Sequence, residues 1–521
     1  MTCCTPGQAS KIINLPSTIP ASVAARPMGL VVRQSIFTTI ISYIGVFIGY
    51  INILYLFPKF LEPDQVGLLR AIQDAAILFS PFAQFGLAHS LIRYYPQLVK
   101  EKRSQGGFIS LILLLAMGGF VIFLVVFQVF EGPILTYFDE NAGAILRYIP
   151  VVLWLTFILL VTGILEAYSR SLLKTVFPNL LKEVAVRAML AVLVTVYFLG
   201  WLTFEEFIIS TVAAYLVALL ALVIYLLLGK DLSFSVKFGF IPREKKKELV
   251  FYSLLSFAGA AGMIIIGKID SLMIAGMLGL KDVAIYTTAF YMASVIEIPK
   301  KALSSVAMPI ISRSFEKNDI KHIEMMYRKT SINQLISGAL LLIGVIINLD
   351  NIYDLMPRKE IYEAGRWVVV FVGVGKLADM LFGPSSEIVV LSKYFWFNIV
   401  LILLLAGSVI VANNILIPVY GIDGAAMGVA LALTTFNIVK YVFIWITLKI
   451  QPFNTATAIV LVIAAATLGL NYVLPVFDNL FVDLVFRSGV VTVVYGAAVL
   501  ATRVSPEVND IWKKGLGLVG L

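Results

Sequence analysis

Long apolar stretches separated by short polar segments make up most of this chain. The stretch Leu111–Phe130 (LILLLAMGGFVIFLVVFQVF) holds no charged residue, and a helix needs roughly 20 apolar residues to cross a lipid core about 30 Å thick. Fourteen stretches of this kind are present, at residues 33–57, 66–92, 107–130, 148–169, 178–199, 206–228, 250–277, 283–311, 331–348, 366–391, 394–416, 421–447, 454–474 and 484–502. The pattern predicts an all-α polytopic membrane protein with about 14 transmembrane helices, which leaves little chain for a soluble catalytic domain.

The composition supports this prediction and limits the classes of partner that the protein is expected to bind. Hydrophobic residues make up 60% of the chain and charged residues 14%, whereas soluble domains have roughly 45–50% and about 25%. The net charge is +9, but the basic residues lie at the edges of apolar stretches, where they contact lipid headgroups rather than nucleic acid. Cys3 and Cys4 are the only cysteines, and their spacing fits neither a zinc site nor a disulfide framework. We therefore predict membrane lipids as partners, no nucleic acid and no cofactor.

Lys and Arg residues are distributed very unequally between the two sides of the predicted membrane. Most of the 40 lie in the terminal segments and in the loops on the same side, and only six lie in the opposite loops: Lys59, Arg147, Lys281, Arg358, Lys359 and Arg366. Short loops rich in Lys and Arg stay in the cytoplasm. We predict a protein of the cell's inner or plasma membrane with both termini cytoplasmic, and residues 1–30, which lack the apolar core of a signal peptide, as a flexible cytoplasmic tail.

A basic loop after the sixth span divides the chain. Residues 230–248 are predicted to form a cytoplasmic linker between a six-helix lobe at 31–229 and a second six-helix lobe at 249–450. Because six is an even number, the first and seventh spans cross in the same direction, so the lobes are expected to be parallel pseudo-repeats. Residues 451–521 are then an extra helix pair followed by a cytoplasmic C-terminus.

Two segments imitate nucleotide-binding motifs without their context. Gly262–Lys268 has the spacing of a phosphate loop, but Ile269 replaces the Ser or Thr that holds magnesium, and the segment lies inside an apolar span. Val368–Asp379 imitates a dinucleotide fingerprint with no alternating strands and helices around it. The only histidines are His89 and His322, which complete no recognisable catalytic set. We therefore predict neither an ATP-driven pump nor an enzyme.

Charged residues inside the spans are the best indicators of a functional site, because an ionised group in lipid costs at least ~2.5–3.5 kcal/mol. Arg70 and Asp74 lie one helical turn apart in the second span. They form either a pair that stabilises the helix start or the wall of a cavity. Lys268 and Asp270 lie in the outer part of the seventh span, and Asp270 is expected to extend toward the headgroups.

The eighth span carries Glu297, Lys300 and Lys301 around Pro299, about 22 Å from its outer end at 1.5 Å per residue. Glu297 and Lys301 could neutralise each other as an i,i+4 pair, which would leave Lys300 in need of an anion or water. In the tenth span, Lys376 and Asp379 form either a salt bridge or part of a site. Three further bases are expected to have partners or to reach the headgroups: Arg187, which lies one helical turn from Glu183, Lys440 and Arg487.

These residues predict a central cavity richer in positive than in negative charge, which suits a ligand with a phosphate group. The predicted diphosphate-binding residues are Arg70, Lys268, Lys300, Lys301 and Lys376. The candidates for ion coupling are Asp74, Glu297 and Asp379.

Three segments of the chain resemble one family of transporters. They are Leu61–Pro96, with FLEPDQVGLL followed by FGLAHSLIRYYP, Leu278–Asp319, with LGLKDVAIYTTAFYMAS, and Asn413–Val429, NNILIPVYGIDGAAMGV. In order and spacing they resemble the polysaccharide-unit (O-antigen-type) flippases of the superfamily that also contains the multidrug and toxic-compound extruders. The resemblance implies two six-helix lobes around a cationic cavity that opens alternately to either face.

The substrate that this resemblance implies is a polyprenyl-diphosphate-linked oligosaccharide, moved from the cytoplasmic to the outer leaflet for cell-surface polysaccharide biosynthesis. The resemblance leaves open whether protons, sodium ions or product removal drive transport, and it suggests glycan polymerisation machinery as a partner. In lipid II flippases an extra helix pair forms a lipid groove, and the last two spans here could do the same.

Two other functions are weighed against the flippase. A drug or cation antiporter of the same superfamily is expected to have an acidic, aromatic cavity, whereas bases dominate the spans here. A membrane polysaccharide polymerase or ligase is expected to have large outward loops for its acceptor sugar. The longest outward segments, Glu131–Arg147 and Leu349–Gly365, are short and show no catalytic set.

Overall fold

The computed structural model describes residues 28–99, 102–235, 242–510 and 512, and these are almost entirely helical. The helices are α1 (Met28–Tyr50), α2 (Pro63–Gln84), α3 (Leu87–Leu98), α4 (Lys102–Val129), α5 (Glu131–Ala142), α6 (Ala144–Arg147), α7 (Ile149–Ser171), α8 (Val176–Leu180), α9 (Val186–Phe198), α10 (Phe204–Leu228), α11 (Arg243–Met277), α12 (Leu280–Ala293), α13 (Ile298–Glu316), α14 (Ile320–Ile347), α15 (Leu349–Leu355), α16 (Lys359–Tyr362), α17 (Arg366–Leu381), α18 (Ser385–Leu391), α19 (Phe395–Leu448), α20 (Thr455–Leu468) and α21 (Leu480–Thr502). Short π-helical turns follow α1 and α8, and 3₁₀ turns follow α12, α16 and α20. One further α-helical turn, Phe57–Phe60, lies between the first π-helical turn and α2. The predicted all-α fold is confirmed.

The predicted number of 14 spans is not confirmed, although each predicted stretch is largely helical. Among the described residues, ten helices are long and apolar enough to cross a membrane, or up to 11 if a pair bent by 49° counts as one span. A π-helical turn interrupts the fifth predicted span, and a 3₁₀ turn interrupts the eighth. The tenth is bent between α17 and α18. The eleventh and twelfth run together as α19, in which Gly421 has non-helical angles (φ 59°, ψ −139°).

Local sequence explains where the second span begins and breaks. Pro63 occupies the first turn of α2, where its missing N–H is not needed. Glu62 and Gln65 form a reciprocal capping box, in which the Glu62 backbone N–H donates to Gln65 Oε1 at 2.9 Å. The helix ends at Phe85 and Gly86, which both adopt left-handed angles. The backbone therefore turns between α2 and α3 inside the predicted second span, seven residues before its end at residue 92.

The N-terminal and C-terminal halves of the chain contact each other through α2. This helix packs against both α11 and α12, and the largest apolar core cluster includes Leu69 and Ile72 of α2 with Val283 and Tyr286 of α12. The last two helices, α20 and α21, pack against α14 instead. The two-lobe division and its pseudo-repeat stay predictions.

The two halves meet at both ends of the bundle. At the end predicted to face outward, the Arg358 guanidinium donates to both carboxylate oxygens of Glu62 at 2.9 and 2.8 Å. At the opposite end, the Ser90 and Ser253 hydroxyls lie 2.6 Å apart, and Tyr94 Oη donates to Glu248 at 3.1 Å. Any cavity at the interface is therefore bounded at both ends by contacts between the halves.

Two predicted segments are only partly described. Of the tail at 1–30, only residues 28–30 are described, and they begin α1. In the linker at 230–248, residues 236–241 lie outside the described residues, and the chain is helical again from Arg243. The C-terminal segment is described to residue 510 and at 512.

Candidate substrate cavity

A cavity of about 490 Å³ lies beside α2, and α11 of the other half contributes to its wall. Its charged lining residues are Arg70, Asp74, Glu166, Lys182, Glu183, Arg187 and Lys268. Four bases and three acids leave an excess of one positive charge. The cavity is therefore weakly cationic, and the dominance of bases is smaller than the sequence suggested.

One ion pair in this cavity joins the two halves. Lys268 Nζ on α11 lies 2.5 Å from Asp74 Oδ1 on α2, and the Ser271 hydroxyl donates to Asp74 Oδ2 at 2.8 Å. Asp74 is almost fully buried, whereas a third of the Lys268 side chain is exposed. Asp74 is thus part of the cavity wall, and its ionic partner is Lys268 rather than Arg70.

Arg70 has a different environment from the other bases of the cavity. Among the described residues it forms no ion pair, and its contacts are a long hydrogen bond of 3.4 Å to Gln73 Oε1 and the Phe57 ring 5.4 Å away. Gln73 is 6% exposed, and its Nε2 has no hydrogen-bond partner in the part of the chain that the structure describes. A guanidinium and an amide donor are therefore both available at this wall of the cavity.

The remaining charges of the cavity pair within the N-terminal half. Arg187 donates to Glu183 at 2.8 Å and to the Gly45 carbonyl. Lys182 Nζ lies 3.6 Å from Glu166. The i,i+4 partner expected for Arg187 is confirmed. Arg487 also has its partner, because its Nε lies 2.7 Å from Asp483 Oδ2 in α21.

The predicted charges of the eighth and tenth spans form a second cluster, between the start of α13 and α17. Lys300 pairs with Asp379, and Lys376 Nζ lies 2.6 Å from Glu297 Oε2. Lys301, whose side chain is 74% exposed, lies 3.5 Å from Glu297 Oε1. The i,i+4 pair expected for Glu297 is present, but Lys300 does not lack an anion as the sequence suggested. Of the two alternatives for Lys376 and Asp379, the salt bridge within the tenth span is not formed, because both charges pair with the eighth span.

Two buried charges have no ionic partner within reach among the described residues. Lys440 is 1% exposed, donates to the Ser386 hydroxyl at 2.7 Å and lies 4.2 Å from the Phe436 ring. Asp270 is 2% exposed and accepts hydrogen bonds from Tyr286 Oη at 2.9 Å and Asn413 Nδ2 at 2.7 Å.

The prediction that Asp270 extends toward the headgroups is therefore wrong. The donors that keep it inside the protein come from other helices: Tyr286 lies on α12, 16 residues away, and Asn413 lies on α19, 143 residues away. The apolar residues around it on α11 gave no sign of either donor.

The structure brings together only part of the predicted site. Arg70, Asp74 and Lys268 line the cavity. The other predicted residues, Glu297, Lys300, Lys301, Lys376 and Asp379, are not among its lining residues. Sequence analysis missed Lys182 and Glu166 as cavity residues. Glu166 is a carboxylate within a predicted span, which was the available signal.

Comparison with known proteins identifies the family of this chain. Residues 31–315 match the family described as polysaccharide biosynthesis protein. The chain belongs to that family. It is also 23% identical over 457 residues, which are 82% of this chain and 86% of the relative, to an uncharacterized membrane protein of Methanocaldococcus jannaschii.

Solved structures show the same fold in two kinds of transporter. The lipid II flippase MurJ, in an inward closed conformation, superposes with a TM-score of 0.66 at 12% identity, over 89% of this chain and 98% of MurJ. An inward-facing multidrug resistance MATE family transporter of the MOP superfamily gives a TM-score of 0.59 at 15% identity, over 78% and 94%. The predicted resemblance to this superfamily is confirmed, and the chain is a multi-pass membrane protein with its fold.

Proposed function

We propose that this protein is a transporter, not an enzyme, and that it moves a polyprenyl-diphosphate-linked oligosaccharide from the cytoplasmic to the outer leaflet of the cell's inner or plasma membrane. The family is that of polysaccharide biosynthesis proteins, and the fold is that of a lipid II flippase. The observation that carries the proposal is Arg70, a base inside the membrane protein that lines the cavity without an ionic partner among the described residues. An anionic headgroup would supply that partner.

The proposed transport cycle uses the contacts between the halves. The bundle is joined at both ends, by Arg358 with Glu62 and by Ser90 with Ser253. Alternating access would release one set of contacts at a time, so that the cavity opens to one leaflet while the other end stays closed. Lipid-linked sugars would enter from the cytoplasmic side and leave toward glycan polymerisation machinery.

The energy source remains part of the proposal. A proton or sodium gradient would act through the predicted coupling carboxylates, of which Asp74, Glu297 and Asp379 each lie in an ion pair with a lysine. A cation that binds such a carboxylate would release the lysine for the substrate's anion.

Purified protein in proteoliposomes tests the function. A short-chain polyprenyl-diphosphate oligosaccharide with a fluorescent label is placed in both leaflets, and a membrane-impermeant quencher reports how quickly the inner pool reaches the outside. We expect transport without ATP, faster than in empty liposomes and faster than with Arg70→Ala, with Arg70→Lys intermediate. Equal rates in empty and protein-containing liposomes, or a strict requirement for ATP, would reject the proposal.

The alternative of a drug or cation antiporter has one structural observation in its favour, namely the near balance of acids and bases in the cavity. The same liposomes loaded with a fluorescent lipophilic cation distinguish the two. Proton- or sodium-driven cation movement without flipping of the diphosphate lipid would favour the antiporter.

A further inference from the structure

Two bases of the cavity, Arg70 and Lys268, lie near one carboxylate, that of Asp74. Asp74 pairs with Lys268 at 2.5 Å, while Arg70 lies one turn earlier on the same face of α2 and is not ion-paired with any described residue. Two bases and one acid leave one positive charge uncompensated. A single anionic group at this place would complete two ion pairs.

Helix geometry does not favour a pair between Arg70 and Asp74. A basic residue four positions before an acidic one is the less favourable order for an i,i+4 pair. Asp74 is held instead by two donors of α11, the Lys268 ammonium and the Ser271 hydroxyl at 2.8 Å. The Asp74 carboxylate is therefore the ionic partner of Lys268 in this structure.

The cavity lining offers an anion two bases and one amide, Arg70 and Gln73 from α2 and Lys268 from α11. Arg70 has a planar guanidinium that can bind two phosphate oxygens at once, and it makes only the long hydrogen bond to Gln73 Oε1. Gln73 Nε2 is buried without a partner among the described residues, and Lys268 keeps a third of its side chain exposed. Of the two bases, Lys268 is already in an ion pair, with Asp74.

We infer that the substrate's anionic group and Asp74 compete for Lys268, so that binding of a phosphate or diphosphate breaks the ion pair that joins α2 to α11. When the anion takes Lys268, Asp74 keeps the hydrogen bond from the Ser271 hydroxyl. Binding thereby removes one link between the two halves at the depth of the cavity. The inference rests on the proposed function for the identity of the ligand only.

Equilibrium binding to the purified full-length protein in nanodiscs tests the competition. The probes are farnesyl diphosphate, for a lipid headgroup, and inorganic pyrophosphate, for a free anion, with farnesol as the uncharged control. We expect Lys268→Met to weaken binding of both anions by about tenfold or more, the loss of one charge-assisted hydrogen bond. Asp74→Asn, which keeps a hydrogen-bond acceptor for Ser271, should strengthen it by about tenfold.

A double-mutant cycle separates competition from a simple field effect. Removing any acid makes the potential of the cavity less negative, so Glu166→Gln, which leaves Lys268 untouched, is the control. Glu166 lies 3.6 Å from Lys182, a looser pair than the 2.5 Å pair of Asp74 and Lys268, so this variant should strengthen binding by a smaller factor. In the Lys268→Met background, Asp74→Asn should give no more than that smaller gain, because nothing remains to compete for. The same gain with and without Lys268, or equal gains from Asp74→Asn and Glu166→Gln, would overturn the inference.

The outcomes also separate this inference from the proposed function. The binding cycle needs no translocation, so a protein that shows the cycle but flips no lipid-linked sugar would keep the inference and reject the flippase. A protein that flips the sugar but shows no coupling between Asp74 and Lys268 would keep the flippase and reject the inference. Tight binding of farnesol would show that the tail alone is recognised, which would also contradict the inference.

Discussion

The second charge cluster predicts that Lys300 is a structural residue as well as a candidate for binding. Its ammonium pairs with Asp379, and both side chains are about one-fifth exposed (19% and 20%). Replacing Lys300 by Met leaves the Asp379 carboxylate inside the protein with Asn437 as its remaining hydrogen-bond donor, at 2.9 Å. The perturbation therefore creates an unpaired charge in a poorly hydrated place.

The expected loss in the free energy of unfolding depends on how exposed each ion pair is. Breaking a fully buried ion pair costs about 3–5 kcal/mol, and the partial exposure of Lys300 and Asp379 reduces this to about 2–3 kcal/mol. Lys301 is 74% exposed and 3.5 Å from Glu297, which also has Lys376. Lys301→Ala should then cost only about 0–0.5 kcal/mol. It is a matched control, because it lies on the same helix and removes the same charge.

A double-mutant cycle gives the measurement. The free energy of unfolding is obtained from denaturant titrations in mixed micelles for Lys300→Met, Asp379→Asn and the combined variant. We expect the combined variant to lie within about 1 kcal/mol of wild type, because two neutral polar or apolar groups replace the pair. Equal stability of Lys300→Met and Lys301→Ala would refute the reasoning.

The stabilised double variant then addresses function. If it is folded but does not flip the lipid-linked substrate, Lys300 or its partner Asp379, a candidate coupling carboxylate, takes part in transport beyond neutralising the other. If it transports at the wild-type rate, Lys300 serves only to neutralise Asp379. The single Lys300→Ala variant cannot answer this question, because loss of transport would follow from either role.

Three further predictions concern other parts of the molecule. A cysteine at Lys245 should react only with reagents that reach the cytoplasm, and one at Asp139 with impermeant reagents from outside; external labelling at Lys245 in intact cells would reverse the topology. A Cβ at Gly67 would lie 1.8 Å from the Leu280 carbonyl oxygen, so Gly67→Ala should separate α2 from α12. A cysteine placed in the cavity should then react faster with a labelling reagent added from outside, and an unchanged rate would contradict this prediction. Asp270→Ala leaves two buried donors unpaired and should cost about 1–3 kcal/mol in unfolding experiments, whereas Asp270→Asn should cost less; equal losses would be inconsistent with the hydrogen bonds described.

The local part of this structure could be predicted from the sequence. Apolar length identified the helical stretches, because the thickness of the lipid core fixes the helix length that a span needs. Spacing of four residues identified the ion pairs of Arg187 with Glu183 and Glu297 with Lys301, since such residues share a helix face. The exact number of spans was harder to predict, because the backbone of several predicted spans is broken or bent.

Contacts between distant segments could not be predicted in this way. Lys376 pairs with Glu297, and Asp379 pairs with Lys300, which in both cases is a separation of 79 residues. In the sequence, Glu297 could pair with Lys301 and Lys376 with Asp379 on the same helix. Only the packing of α13 against α17 decides between these local pairs and the observed ones. Asp270 is a similar case, because the two donors that satisfy it belong to other helices.

The same pairings restrict how this cavity can bind an anion. Of the four bases that line it, Lys182, Arg187 and Lys268 each have a carboxylate within 4 Å, and only Arg70 has none among the described residues. An anion must therefore bind at Arg70, take a base from its acid, or do both. Binding at Arg70 alone would need no change in the protein, whereas taking Lys268 releases Asp74 and a contact between the halves. A transporter has to change shape in response to its substrate, and only differential contacts in the two states can produce that change. Lys268 is the one base of the four whose acid belongs to the other half of the chain, which makes it the base through which binding and opening can be coupled.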